Sequence, residues 1–143
     1  RVRGLVLWST PKDHDYNVKK FIRRTRGTLG LYLFLLLSRI DKVFNVSRVF
    51  HLKVYGINLR PRYVIEKLMK IDERGAVSKL HGIPLLIVVG EKDVIVGVDE
   101  AQEILKSAHE PKTLFVIKSA DHVFTGKEEE LVTKTIEWTK KLL

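Results

Sequence analysis

The chain has 143 residues, of which 45% are hydrophobic and 30% are charged, so it can form one globular core and is too apolar for general disorder. It contains no cysteine, which excludes disulfides, thiolate metal sites and a cysteine nucleophile. The net charge of +9 is uneven, because residues 1 to 72 hold 16 Lys/Arg against 5 Asp/Glu and the remaining residues hold 10 against 12. A nucleic acid, an anionic membrane, an acidic ligand or an acidic protein would each suit such a basic half.

The first apolar run, Gly4 to Trp8, is typical of a buried strand. Because it follows Arg1 almost directly and no signal sequence precedes it, we expect the chain to be part of a longer fold. The longest apolar run, Leu29 to Leu37, is well short of the roughly 20 residues that cross a bilayer. We therefore expect no transmembrane span and a cytoplasmic location.

Residues 16 to 80 contain no strand-like run, and their apolar residues recur at helical intervals among polar ones. The spacing predicts helices from about Val18 to Arg26, from Leu29 to about Val43 and from Arg62 to Ile71. Pro61 suits the first turn of the last of these, where an N–H would have no partner. Residues 16 to 80 are thus predicted to be a helical insertion.

Two further apolar runs, Ile83 to Val89 and Thr113 to Ile117, are hydrophobic on both faces, as in strands of a parallel sheet that is covered on both sides. Each is followed by an amphipathic pattern, over residues 98 to 108 and 131 to 142. Alternation of strand and helix predicts an α/β fold with a doubly wound, mostly parallel sheet. Its core is predicted to comprise residues 1 to 15 and 81 to 143.

Asp93 and His122 each follow a predicted strand, at the sheet edge where ligands of such folds bind. Taken alone, Asp93 is more simply an aspartate that stabilises a turn, and His122 a hydrogen-bonded loop histidine. Together they gain significance, because a histidine whose tautomer is fixed by a carboxylate can exchange protons near neutral pH. Since both predicted strands end at one sheet edge, we expect the two side chains to be in contact.

The stretch Gly82 to Asp93, an amphipathic helix, a short strand and then Ala120 to Phe124 together resemble the C-terminal half of the α/β-hydrolase superfamily, in particular its serine esterase-like and peptidase-like members. In that superfamily the triad acid follows a strand in a Gly-x-x-Asp turn, and the histidine follows the last strand. The resemblance implies that Asp93 is the acid and His122 the base. It also implies that residues 16 to 80 are a cap, which matches by position only.

The superfamily's nucleophile lies in a Gly-x-Ser-x-Gly elbow. None of the six serines here, at positions 9, 38, 47, 78, 107 and 119, has glycine two residues before and after it. Ser9 directly follows a predicted core strand, but its neighbours lack the glycines of a sharp turn. The resemblance therefore implies that the nucleophile, serine or aspartate, and the oxyanion hole lie outside this chain, which alone should be inactive.

Two other features have simpler interpretations. Asp13, His14 and Asp15 could suggest a metal site, yet adjacent residues rarely converge on one ion, and we favour a solvated loop. A basic run (Lys19, Lys20, Arg23, Arg24, Arg26) precedes the apolar stretch, as in helices at an anionic membrane surface, but a cap helix with a solvated face is the simpler interpretation. Nucleic acid is not expected, because aromatic residues are not interleaved with the basic ones.

Two hypotheses follow. In the first, the chain supplies the acid and base of a hydrolase that cleaves an ester, thioester or amide of a small acyl substrate, with no cofactor or metal. Its partner would be the missing N-terminal half of the fold or a second copy, since a parallel sheet that lacks its first strands has an unpaired edge. In the second, the chain is a non-catalytic module that binds a partner or a membrane surface through its basic and apolar insertion.

Overall fold

The computed structural model describes residues 2–44, 52–54 and 57–143. For residues 42–44, 52–54 and 57–59 it describes the backbone alone. The strands are β1 (Leu5–Trp8), β2 (Leu52–Val54), β3 (Ile57–Leu59), β4 (Leu85–Gly90) and β5 (Lys112–Ile117). The helices are α1 (His14–Phe44), α2 (Pro61–Glu66), α3 (Glu73–Val77), α4 (Val98–Ser107) and α5 (Glu128–Lys140), with a 3-10 turn at Leu68–Lys70. By contacts the chain divides into a first unit, residues 1–12 and 72–143, and a second unit, residues 13–71.

The first unit is built on a parallel sheet in the order β1-β4-β5, as the apolar runs predict. Leu5 pairs with Leu85 and Leu85 with Lys112, so all three strands run in the same direction and their carboxyl ends meet at one edge. Every residue of β4 is buried, because this strand is central and both of its faces are covered. The sheet therefore carries the loops after β1, β4 and β5 on a common edge.

Helices cover the two faces of this sheet. On one face Ile87 and Val89 pack with Ala101 and Ile104 of α4, and Val77 of α3 joins the same cluster. On the other face Leu86 and Val88 pack with Leu131 and Trp138 of α5. Residues of β4 thus alternate between the two clusters, as the period of two in a strand requires. The amphipathic patterns after β4 and β5 are confirmed as helices.

The second unit consists of α1, β2, β3 and α2. Its core contains Ile22, Leu31 and Phe34 of α1 and Val64 of α2. Gly27 interrupts α1 with non-helical torsion angles, φ 69° and ψ −179°, so the element is two helices that meet at a kink. This agrees with the separate predicted helices before and after residue 27. The predicted helix from 62 to 71 is α2 followed by the 3-10 turn.

The prediction that residues 16 to 80 lack strands was wrong, because β2 and β3 form a short antiparallel pair in which Leu52 opposes Leu59. The signal was present: apolar and polar residues alternate from Leu52 to Val54 and from Ile57 to Leu59, which is the strand period rather than the helical one. The unpredicted helix α3 lies in the first unit. The compact second unit thus spans 13–71, compared with the predicted insertion from 16 to 80.

Across the described ranges, no helix combines the length and the apolar character that crossing a bilayer would require.

Candidate active site

The structure brings the two predicted site residues into contact. His122, in the loop after β5, has its Nδ1 2.9 Å from Oδ2 of Asp93, which lies in the loop after β4. The Asp93 side chain is fully buried, whereas that of His122 is 24% exposed. A carboxylate can only accept hydrogen bonds, so the ring donates from Nδ1 and, when neutral, carries its lone pair on Nε2. The predicted contact is thus present at the carboxyl edge of the sheet.

Asp93 uses its second oxygen to hold its own loop. Oδ1 accepts hydrogen bonds from the backbone N–H groups of Ile95 (2.9 Å) and Val96 (2.8 Å). Burial alone raises the pKa of Asp93, but the hydrogen bonds from His122, Val96 and Ile95 outweigh it and hold this pKa below its usual 3.8. Asp93 is therefore both the turn-stabilising aspartate of the simpler interpretation and the partner of His122.

Gly90, the last residue of β4, permits the loops of the two residues to touch. A Cβ at this position would lie 2.5 Å from the carbonyl oxygen of Ala120 and 2.6 Å from that of Asp121. The N–H of Lys92 donates to the Ala120 oxygen at 2.8 Å, and the carboxylate of Glu91 accepts from the N–H of Ser119 at 2.8 Å. The last residue of β4 and the first two residues of the following loop thus hold the segment that leads to His122.

The loop that carries His122 has its own internal support. Oδ1 of Asp121 accepts from the N–H of Thr125 at 2.9 Å and from that of Val123 at 3.2 Å. The backbone hydrogen bond from Thr125 is the largest of several that lower the pKa of Asp121. Phe124 adopts a left-handed φ of 59° and buries its ring in the core. The position of His122 is therefore fixed by the hydrogen-bonded turn at Asp121 and by the buried ring of Phe124.

Glu91 and Asp121 support these loops and were not singled out in the sequence, whereas Gly90 entered there only as the first residue of the Gly-x-x-Asp turn. A glycine often ends a strand, and an aspartate often accepts a hydrogen bond from the N–H two residues later. Both are common turn signals, so Gly90 and Asp121 did not stand out. Only the closeness of the two loops gives them meaning.

Ser9 follows β1 at the same edge, and its N–H continues the sheet by donating to the carbonyl oxygen of Val88 at 2.8 Å. The residue has a left-handed φ of 41° and is 7% exposed. Its Oγ is buried and has no hydrogen-bond partner among the described residues, His122 included. A hydroxyl that neither reaches the imidazole nor contacts solvent is not arranged as a nucleophile.

The Asp13, His14 and Asp15 triplet forms the start of α1 rather than the loop that was expected. Oδ1 of Asp13 accepts from the N–H of Tyr16 at 2.8 Å, which is the geometry of a helix cap. Asp15 forms an ion pair with Lys19 one turn later, at 2.5 Å. Over the parts of the chain that the structure describes, no group of three or more His, Cys, Asp or Glu side chains could hold a metal ion. Ser47 lies outside the described residues.

Comparison of the sequence with protein-family models and with curated proteins gave no match. Solved structures do match. A thermophilic esterase from Thermogutta terrifontis is similar over 98% of this chain and 56% of its own, with 16% identity and a TM-score of 0.52. An esterase from Rhodococcus covers 99% of this chain and 57% of its own, with 14% identity and a TM-score of 0.57. An alpha/beta fold family hydrolase from Bacillus anthracis covers 99% and 58%, with 13% identity and a TM-score of 0.55.

The chain therefore has the α/β-hydrolase fold. It spans somewhat more than half the length of each of these structures. The expected fold class, an α/β architecture with a parallel sheet that belongs to one part of this fold, is confirmed.

Proposed function

We propose that this chain is part of a hydrolase that cleaves a carboxylic ester, thioester or amide bond, with Asp93 as the acid and His122 as the base of a catalytic triad. The observation that carries this proposal is the 2.9 Å contact between a fully buried carboxylate and a partly exposed imidazole at the carboxyl edge of a parallel sheet. Two of the similar structures are esterases, which supports the choice of an ester.

In the proposed reaction, Nε2 of His122 takes the proton of the attacking hydroxyl and returns it to the leaving group. In the second half of the cycle the same nitrogen activates the water that hydrolyses the acyl intermediate. Asp93 keeps the proton on Nδ1 and stabilises the imidazolium that forms at each transfer. This chemistry requires neither a metal nor a cofactor, and the substrate would be a small acyl compound.

The nucleophile and the oxyanion hole would come from outside this chain. The sequence has no Gly-x-Ser-x-Gly elbow, and the buried Oγ of Ser9 lacks a base. The N-terminal half of the fold would supply the missing groups. Either that half or a second copy of the chain would cover the unpaired edge of β1. The second unit, inserted in sequence between β1 and β4, would act as the cap. By itself the chain is expected to be inactive, and we retain the expectation of a cytoplasmic location.

A fluorophosphonate probe tests the proposal, since it labels serine nucleophiles that an adjacent base activates. We expect labelling of the longest product of the same reading frame and none of the 143-residue chain. His122→Ala should reduce labelling at least 100-fold in the longer product, on the order of the loss that removal of a triad base causes. His109→Ala is the matched control, because this exposed histidine lies before β5, away from the site edge.

The hydrolase proposal is overturned if the folded longer product gives neither a labelled serine nor a trapped aspartate adduct, or if His122→Ala and His109→Ala are labelled equally. An aspartate nucleophile would escape this probe. It is detected instead by mass spectrometry, as an ester that forms when the aspartate carboxylate displaces the substrate's carboxylate at the alkyl carbon. This ester should accumulate only in His122→Ala, which cannot activate water.

A further inference from the structure

The α1 helix exposes an apolar surface that the proposed reaction does not use. Beyond the kink at Gly27, one side of the helix packs into the second unit through Leu31, Phe34 and Ser38. The opposite side is apolar as well, but it faces solvent. Its members are Leu29 (82% exposed), Tyr32 (66%), Leu33 (49%) and Leu36 (54%). Spacings of three, four and seven residues place them on one helical face, here named the apolar stripe.

A second feature adjoins this stripe in the chain. The segment before the kink holds Lys19, Lys20, Arg23, Arg24 and Arg26, here named the basic segment. Arg23, Arg24 and Arg26 are exposed, and Lys20 is half-buried with its ammonium group 5.6 Å from the ring centre of Tyr16. From residue 16 to residue 40 the chain has six Lys/Arg and no Asp or Glu. The stripe is thus preceded by uninterrupted positive charge.

We propose that the basic segment and the apolar stripe together form a surface that docks on an anionic lipid bilayer. Exposed leucines and a tyrosine are the groups that enter the boundary between headgroups and acyl chains, while lysines and arginines attract anionic headgroups. The proposal rests on the exposed residues of the second unit and does not depend on the contact between Asp93 and His122.

Other occupants fit these observations less well. A second copy seated on the same surface would bring two basic segments together, and their repulsion would oppose the gain from burying the stripes. A nucleic acid would complement the charge but would leave the apolar stripe in water. An anionic bilayer complements both features at once.

Co-sedimentation of the 143-residue chain with vesicles tests the proposal. We expect binding to vesicles of phosphatidylcholine mixed with phosphatidylserine, much weaker binding to phosphatidylcholine alone, and a decrease as salt rises. The charge variant Lys20→Gln/Arg23→Gln/Arg24→Gln/Arg26→Gln should bind the mixed vesicles at least 100-fold less, because each cation near the surface contributes about fivefold. The matched control removes four exposed lysines of the first unit, Lys106, Lys118, Lys140 and Lys141, and should change binding less than about threefold.

The stripe is tested separately, with circular dichroism as the check that each variant folds. Leu29→Ser/Leu33→Ser/Leu36→Ser should weaken binding to mixed vesicles at least tenfold, whereas Val132→Ser/Ile136→Ser, at two similarly exposed positions of α5, should not. Tyr32→Trp should show a blue-shifted emission with mixed vesicles, and Val132→Trp should not.

Unchanged binding in the charge variant, or equal binding to both vesicle types, overturns the proposal. A second outcome also overturns it: the parent chain binds no vesicles, and light scattering without vesicles shows a dimer that dissociates in the leucine variant. In each of these cases the fluorophosphonate result is unaffected, so the two proposals fail independently.

Discussion

Asp93 contacts His122 through one carboxylate oxygen only. Oδ2 lies 2.9 Å from Nδ1 of the ring, while Oδ1 is occupied by the N–H groups of Ile95 and Val96. The two oxygens are therefore not interchangeable, because backbone donors select one and leave the other for the imidazole. This asymmetry determines what an amide would do in the same place.

Asp93→Asn should reverse the tautomer of His122. The amide oxygen will stay on the backbone N–H groups, which can only donate, and so the amide NH2 will face the ring. Nδ1 must then accept, and the neutral ring will carry its proton on Nε2. Nitrogen chemical shifts of the imidazole, measured by NMR in alkaline buffer, distinguish the two forms.

Asp121→Asn serves as the control for this exchange, since Asp121 is the neighbour of His122 and bonds to the backbone of its own loop. The tautomer should not change there. A ring that keeps its proton on Nδ1 in Asp93→Asn would contradict the assignment of the two oxygens.

The stability of the first unit should depend on the ionisation of Asp93. Its pKa is lower in the folded chain than its usual value, so the folded state binds fewer protons than the unfolded state. The stabilisation is complete above the unfolded pKa of 3.8 and is lost as the pH falls through the folded pKa. Denaturant unfolding between about pH 6 and pH 3 should give a smaller acid loss in Asp93→Asn than in the parent chain. Asp121 contributes equally to both proteins, so parallel pH curves would contradict the prediction.

Gly90→Ala should lower the free energy of unfolding by about 2–3 kcal/mol, because the new Cβ would meet backbone oxygens that cannot move without separating the loops. Gly126→Ala is a control in the other loop. Gly126 has a φ of 68° with open space around it. Its replacement by alanine should therefore lower the free energy of unfolding only by the cost of a left-handed alanine, about 1 kcal/mol. His122 resonances should shift in the Gly90 variant alone. Equal losses at the two positions would show that the close approach is not restrictive.

Ser9→Ala should be neutral or slightly stabilising, within about 1 kcal/mol, since it removes a buried hydroxyl that has no partner in the described structure. In the longer gene product it should also leave fluorophosphonate labelling unchanged. Thermal unfolding and labelling are measured on the same preparation. A loss of labelling would restore Ser9 as a candidate nucleophile.

Much of the first unit could be predicted from the sequence, because its strands are apolar on both faces and its helices are amphipathic. The contact between Asp93 and His122 could be predicted for a topological reason: parallel strands end at one edge, so residues that follow two of them converge. The catalytic roles of the two residues remain a proposal.

Other features could not be predicted, for identifiable reasons. The need for glycine at position 90 arises from the backbone of residues 120 and 121, which are distant in sequence. The β2 and β3 pair was missed because each strand has three residues, too few for a period of two to stand out among helical intervals. The exposure of Leu29 could not be read from its neighbours, since the helix is apolar on both sides and only packing determines which side is buried.

All the hydrogen bonds described around Asp93 and His122 arise within the first unit, from residues after β4 and after β5. The two residues are 29 positions apart, and no part of residues 13–71 lies between them in the chain. Under the proposed function, the acid and the base would therefore lie in one stretch of sequence and the cap in another. A chimera in which residues 13–71 come from a similar protein should therefore keep the contact between Asp93 and His122.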